Sequence, residues 1–238
     1  MSDLITLTGI VLSATPVGDY DRRLLLLTAE RGKISAFAKG ARRPNSPFVA
    51  GTRALAFGSF TLYEGRSTYN LKSMEIKNYF TELSQDVEAV CYSSYFCEFA
   101  DYYGREGVDG REMINILYAA LLALKRGEMD RILVRYVYEL KMMASQGEYS
   151  EEPFHPCHDA AAYAWHYAIT TPPKNLFSFN LKPEASAEFY HAVNGLKKFY
   201  IDKEFKSLEV LKAREVSCQA LLRHSQEDHG SGLQSPLS

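Results

Sequence analysis

DYDRRLLLLTAERGKISAFAKGA, residues 19–41, decides the fold of this chain. An apolar run at 23–28, a turn at 30–32 and an alternating run at 33–39 predict two antiparallel strands joined as a hairpin. Upstream, LITLTGIVLSATPV (4–17) carries β-branched and apolar residues in loose alternation and ends on Pro16 and Gly18, so it predicts another strand. Downstream, ARRPNSPFVAGTR (41–53) is rich in Pro, Gly, Asn and Ser and predicts a loop or irregular crossover. Two further alternating runs follow, LAFGSFTLYEG (55–65) and STYNLKSMEIKNYF (67–80). Five strands in about 80 residues, with one long interruption before the fourth, are compatible with a small closed barrel of the OB type. Periodicity alone does not separate that barrel from another small barrel or a sandwich.

After Phe80 the period changes. Residues 86–103, 110–126 and 129–145 are each helix-length, with Gly104, Gly127 and Gly147 as stop signals. REMINILYAALLALKRG (111–127) is apolar on most of its surface and needs neighbours on several sides, which predicts a bundle. Residues 148–182 contain four prolines and read as loop-rich, with at most one helical turn. Two more helices are expected, at 185–199 and about 205–222. The class is therefore α+β: a five-stranded barrel or sandwich, the OB-fold barrel among the forms it fits, at 1–80, a helical domain at 81–224 with a loop-rich insert at about 148–182, and a polar tail at 225–238 expected to be disordered.

Composition fits a folded protein, with 46% hydrophobic and 24% charged residues, and so excludes wholesale disorder. No stretch approaches the ~20 apolar residues that span a bilayer, and the start MSDLITLTGIVL lacks the basic region of a signal peptide. A cytoplasmic protein is expected. Cys91, Cys97, Cys157 and Cys218 are scattered and predict small buried hydrophobes in a reducing compartment. The net charge of −2 hides an asymmetry. Residues 1–80 hold eleven Lys or Arg against six Asp or Glu, while the remainder holds 16 against 23. A basic module joined to an acidic one predicts an anion-binding face on the first alone.

Catalytic readings find no support. The chain has no phosphate-binding glycine loop, no GxSxG and no HExxH, and no pair of acids stands in a setting for acid–base work. HPCHDA gathers His155, Cys157 and His158, but no second ligand pair follows at zinc-finger spacing, so no metal is predicted. Binding is better served. In AFAKGARRPNS (36–46), Lys39, Arg42 and Arg43 stand at a strand exit, where long cations can meet phosphates and release counterions. Arg22, Arg23 and Lys33 on the hairpin extend the basic set. Phe37, Phe60, Tyr63 and Tyr69 on the strands could stack bases or fill the barrel. In DRILVRYVYELKMMASQG (130–147), Leu133, Val137 and Leu140 share one face, and Arg131 and Arg135, four residues apart, share another. With Lys125 and Arg126 from the preceding helix, this predicts an apolar groove edged by cations, suited to an acidic peptide, against the plainer reading of a solvated face.

The segment TGIVLSATPVGDYDRRLLLLTAERGKISAFAKGARRPNS (8–46), with AKGAR its most specific part, resembles the N-terminal signature of the RecO family of bacterial DNA-repair mediators. LAFGSFTLYEG, ILVRYVYELKMMASQGE and FYIDKEFKSLEVLKA agree in order, so the resemblance runs over about residues 4–212 and is looser through 148–200. It implies an OB-fold followed by a helical domain, binding to single- and double-stranded DNA and annealing of complementary strands. It also implies work with RecR in loading RecA onto DNA coated by the single-strand-binding protein SSB, whose acidic C-terminal tail docks on the helical domain. By position, Lys39, Arg42 and Arg43 become DNA contacts, and Arg135, with Arg131 beside it, becomes the residue that meets the SSB tail. Lys206, in the closing lysine–serine motif, serves DNA or the tail. Many members carry a four-cysteine zinc module after the third helix, where this chain has Cys157 alone, and no zinc is expected. The competing reading is a non-enzymatic adaptor whose basic barrel binds an acidic protein.

Overall fold

The computed structural model describes residues 3–65 and 68–211; the expected tail and the end of the closing helix lie outside them. Five strands, β1 (Leu4–Val17), β2 (Asp21–Thr28), β3 (Gly32–Ala38), β4 (Phe57–Glu64) and β5 (Tyr69–Asn78), close into a barrel in the order β1-β2-β3-β5-β4. Closure depends on the length of β1. Its first half pairs with β4 (Leu4 opposite Tyr63 to Ile10 opposite Phe57), and its second half pairs with β2, with an irregular register between Val11 and Ser13. Such a bulge sharpens the bend a strand needs to serve two sheets. Gly9 sits at the crossing, where a β-carbon would lie 2.7 Å from the Leu27 carbonyl oxygen. β3 and β5 seal the barrel through a short parallel pairing, Ala36 with Tyr69 and Phe37 with Asn70. The result is a closed five-stranded barrel of the OB type, one of the forms the spacing of the runs allows and the one the resemblance implies.

Alternation sorts the strand residues into two cores. Leu7, Val11, Leu24, Leu26, Ile34, Ala36, Phe60 and Leu62 fill the barrel. Ile10, Leu12, Leu27 and Ala29 instead face out and join the buried cluster of the helices, so one wall of the barrel is also a wall of the helical core. Phe60 and Tyr69, two of the four ring residues considered for stacking, are interior residues of the barrel.

The helices are α1 (Val87–Tyr103), α2 (Arg111–Arg126), α3 (Arg131–Ser145), α4 (Asp159–Thr170) and α5 (Pro183–Tyr200). The Asp86 side chain caps α1 by accepting from the Glu88 and Ala89 amides at 2.9 and 3.2 Å. Gly127 ends α2 in the left-handed region at φ 67°, which a glycine adopts without steric cost. A last helix begins at Lys206 and is described as far as Leu211. α3 runs through the middle of the bundle, touching α1, α2, α4 and α5. Every residue from 133 to 143 is buried, including Arg135, Glu139 and Lys141.

Residues 148–182 correct the expectation of a loop with one helical turn, since α4 makes three turns there. Its prolines all lie outside the helix, at 153, 156, 172 and 173, and five alanines give it high propensity. Ala161, Ala164, Trp165 and Ala168 form its buried stripe, and the Trp165 indole donates to the Ser150 carbonyl at 3.0 Å. The expected histidine–cysteine loop packs along α5. The His155 ring stacks on His191 at 4.2 Å, and His158 pairs with Glu188. Among the described residues, no group of three or more His, Cys, Asp or Glu is placed to hold a metal, and no helix is long and apolar enough to cross a membrane. Cys97 is buried and its thiol is pushed up to about 12 by desolvation, whereas Cys91 and Cys157 are half-buried; all three are free thiols.

Candidate nucleic-acid interface

Three segments meet at one end of the barrel: the β1–β2 turn, the exit of β3, and the crossover to β4. Gly18, at φ 54°, lets the β1–β2 turn reverse tightly. Arg42 then clamps that turn, its amide donating to the Tyr20 carbonyl at 2.8 Å and its guanidinium to the Gly18 carbonyl at 3.1 Å. On the far side of the turn, Asp21 accepts from the Gly40 amide at 2.7 Å. Arg43 lies over the Tyr20 ring, 5.3 Å from its centroid. Arg22 points inward and ties down the crossover, donating to the Val49 and Thr52 carbonyls at 3.0 and 3.3 Å and to Thr52 Oγ1 at 2.7 Å.

The electrostatics of this end follow from what it lacks. Among the described residues, no carboxylate forms an ion pair with Arg22, Arg23, Lys39, Arg42, Arg43 or Arg53. Burial lowers the pKa of Arg22, and the like charges of Arg53 and Arg42 lower it further. Cations that raise one another's potential, none of them in an ion pair among the described residues, form a site that favours an incoming anion. Lys39, Arg42, Arg43 and Arg53 are exposed. Arg23 donates to Ser35 Oγ at 2.8 Å on the outer face of β2 and β3, directly opposite the half-buried Phe37. The structure thus brings together Lys39, Arg42, Arg43, Arg22, Arg23 and Phe37, though Arg22 serves as a staple for the crossover rather than as a free cation.

Lys33 does not belong to the group. Its Nζ donates to the side chain and the carbonyl of Asp101, both at 2.7 Å, and ties the barrel to α1. Two members of the site were missed. Tyr20 is 49% exposed although aromatic, and Arg53 sits late in the crossover. The signal for Tyr20 lay in its place at a turn after Pro16 and Gly18, where no barrel core can use a ring.

The expected groove on α3 does not exist in the form predicted. Arg131 and Arg135 lie four residues apart on α3 but meet different surroundings, and neither edges an open groove. Arg131 reaches across to Asp86 and Glu88 at the start of α1, and these partners raise its pKa, the Asp86 hydrogen bond foremost. Arg135 is 2% exposed, lies 4.2 Å from the Tyr136 ring centroid, and stands 3.8 Å from Glu139. Four-residue spacing does set the two arginines on one side of α3, but that side is covered from 133 onward, so it offers no solvated cationic edge. Burial would raise the Glu139 pKa, but Lys197 at 2.8 Å, Arg135, and a 2.6 Å hydrogen bond from Tyr95 together lower it. Lys125 pairs with Glu82 at 2.6 Å. Arg126 is exposed and lines a different groove of about 480 Å³, together with Tyr118, Ala119, Leu122, Pro173, Phe177 and the exposed Lys174. The backbone amides of Lys206 and Ser207 sit on Glu98, which leaves the Lys206 side chain exposed at the start of the last helix.

Residues 1–80 match the family described as Recombination protein O N terminal, and residues 84–151 match Recombination protein O C terminal. The chain is similar to proteins named DNA repair protein RecO. That of Alkaliphilus metalliredigens is 34% identical over 144 residues, 60% of this chain and 58% of the relative. That of Clostridium novyi is 31% identical over 139 residues, 58% and 54%. That of Symbiobacterium thermophilum is 35% identical over 149 residues, 60% and 57%. The chain thus spans a little over half the length of the curated relatives it matches.

Proposed function

The chain belongs to the RecO family, and from that premise we propose that it serves DNA repair and recombination in the cytoplasm by binding rather than by catalysis. The barrel end built from Lys39, Arg42, Arg43 and Arg53 holds single-stranded DNA through its phosphates. Complementary strands anneal on it, and with RecR it helps RecA load onto SSB-coated DNA. The observation that carries this reading is the set of exposed cations without a carboxylate partner among the described residues, gathered on a barrel type whose first turn and neighbouring strands bind oligonucleotides elsewhere. Each phosphate that is engaged releases counterions, so affinity and salt sensitivity come together.

The acidic tail of SSB meets the helical domain at the groove that Arg126 and Lys174 line, not at Arg135. Both cations are exposed and share the groove with apolar side chains, which is what an acidic peptide with an apolar end requires. Tethering to SSB raises the local concentration of the barrel at its substrate.

Fluorescence anisotropy of a labelled oligonucleotide across a salt series tests the DNA surface. Lys39→Glu with Arg43→Glu is expected to weaken binding by at least about tenfold, and to flatten the slope of log affinity against log salt by ~0.7 for each phosphate no longer neutralised. Unchanged affinity and slope in that variant would place the DNA on another surface.

A further inference from the structure

Tyr20 is the residue at the barrel end that charge does not explain. It is a half-exposed aromatic ring in a turn of the most basic part of the chain. An exposed ring at a turn is ordinarily free to move, and ordering it on binding costs conformational entropy. Here the turn is held from both sides. Arg42 bonds to the carbonyls of Gly18 and of Tyr20 itself, and Asp21 holds the Gly40 amide. The ring contributes to neither core cluster. What touches it is Arg43, whose guanidinium carbon lies 5.3 Å from the ring centroid and backs one face.

We propose that Tyr20, backed by Arg43, is a stacking platform for an unpaired base, and that this platform makes the barrel end prefer single-stranded to double-stranded DNA. The inference rests on the DNA-binding reading given above and adds the substrate distinction to it. Phosphate contacts alone read both forms, because both carry the same charge on their backbones. A ring face discriminates: a base in a duplex has both faces occupied by its neighbours, whereas a splayed base in a single strand has a face to offer. Cation and ring divide the work. Arg43 draws electron density from one side of the ring and presents its remaining donors to the phosphate, and the base covers the other side. Because the turn is already fixed, the ring is oriented before the strand arrives.

The test compares Tyr20→Ala, Tyr20→Phe and the unaltered protein on a single-stranded oligonucleotide and its duplex, with poly-glutamate as a purely anionic control. Circular dichroism of each variant confirms that the barrel is retained. Tyr20→Ala is expected to weaken single-strand binding about five- to a hundredfold, to leave duplex binding within about twofold, and to keep the salt slope, since no charge is removed. Tyr20→Phe is expected to bind like the unaltered protein, because stacking needs the ring and not the hydroxyl. A 2-aminopurine oligonucleotide, whose fluorescence falls on stacking, is expected to be quenched by the unaltered protein and by Tyr20→Phe but not by Tyr20→Ala. Equal losses on both DNA forms, or no loss in Tyr20→Ala, would overturn the platform while leaving the DNA-binding reading intact. If the unaltered protein binds poly-glutamate as tightly as the oligonucleotide, the end reads charge alone and suits an acidic protein, and the platform is again wrong. If it binds no DNA at low salt, the underlying reading fails first.

Discussion

The barrel end and the α1–α3 seam contain the same kind of residue in opposite circumstances. At the barrel end, Lys39, Arg42, Arg43 and Arg53 are exposed, and no carboxylate among the described residues answers them. In the helical domain, Arg131 is held by Asp86 and Glu88, Arg135 lies beside Glu139, Lys197 bonds to Glu139, and Lys125 bonds to Glu82. A cation whose charge is matched inside the protein stabilises the fold or positions a neighbour. One left unmatched at the surface keeps its potential for a ligand. The two groups cannot be told apart by residue type or local spacing, because neutralisation is a property of tertiary neighbours.

The largest effect that separates the two regions is expected at Glu139. It is completely buried and faces Lys197, Arg135 and Tyr95. Glu139→Ala removes the carboxylate that faces both cations, and removing one partner of a buried ionic cluster costs about 3–5 kcal/mol. Urea unfolding reads the loss, and DNA affinity of the remaining folded protein is expected to be unchanged. The sign of the pH dependence follows from its depressed folded pKa. The stabilisation is complete above the ordinary carboxylate range near ~4.3 and is lost as pH falls through the lower folded value. Glu139→Gln is expected to flatten the acid limb of stability against pH. A variant as stable as the parent would mean that the seam's charges are no more structural than those of the barrel.

Arg22 sharpens the comparison because it lies within the basic end yet behaves like a seam residue. Its guanidinium makes three hydrogen bonds to the crossover, and the segment that carries Lys39, Arg42, Arg43 and Arg53 is held partly by them. Hydrogen bonds of a charged donor contribute about 1.5–3 kcal/mol, so Arg22→Met is expected to lower thermal stability by about that amount and to weaken DNA binding indirectly. Lys39→Ala removes charge without a partner and is expected to leave stability within about 0.5 kcal/mol. If both substitutions had the same effect on stability, the staple would be no staple.

How much of this was legible beforehand depends on the length scale of the signal. The barrel could be read because alternation, turn residues and the long crossover are all local, and β1, β2 and β3 fall where the runs at 4–17, 23–28 and 33–39 place them. The AKGAR block marked the basic end for the same reason. α4 exceeds the single turn expected because four prolines mark 148–182 as loop-rich while all of them stand outside the helix, and the i, i+3, i+4, i+7 stripe from Ala161 to Ala168 is the signal that outweighs them. Arg135 was misplaced because a helix with one apolar stripe and a helix apolar on all sides differ by few residues when Tyr136, Tyr138 and Lys141 can each be buried with a partner. The Lys141 ammonium, for instance, reaches the Ile169 carbonyl at 2.6 Å. Tyr20 and Arg53 needed three dimensions, since the segments that hold them meet only after the barrel closes.

The smallest effect is expected at Arg131, and it is informative because it is small. Asp86 and Glu88, its partners, stand at the start of α1, where amides point outward and the helix dipole already favours negative charge. Asp86 also keeps its bonds to the Glu88 and Ala89 amides whether or not the arginine is there. Arg131→Ala therefore strips two partly solvated carboxylates of a partner without leaving either uncompensated, and the cost is expected to be about 1 kcal/mol or less. The same variant is expected to bind an SSB tail peptide as the parent does, while Arg126→Glu loses the peptide. A free arginine on a docking face gives the reverse pattern, with no change in stability and loss of the peptide. That outcome for Arg131→Ala would return the tail to α3 and dissolve the distinction between the matched and unmatched cations.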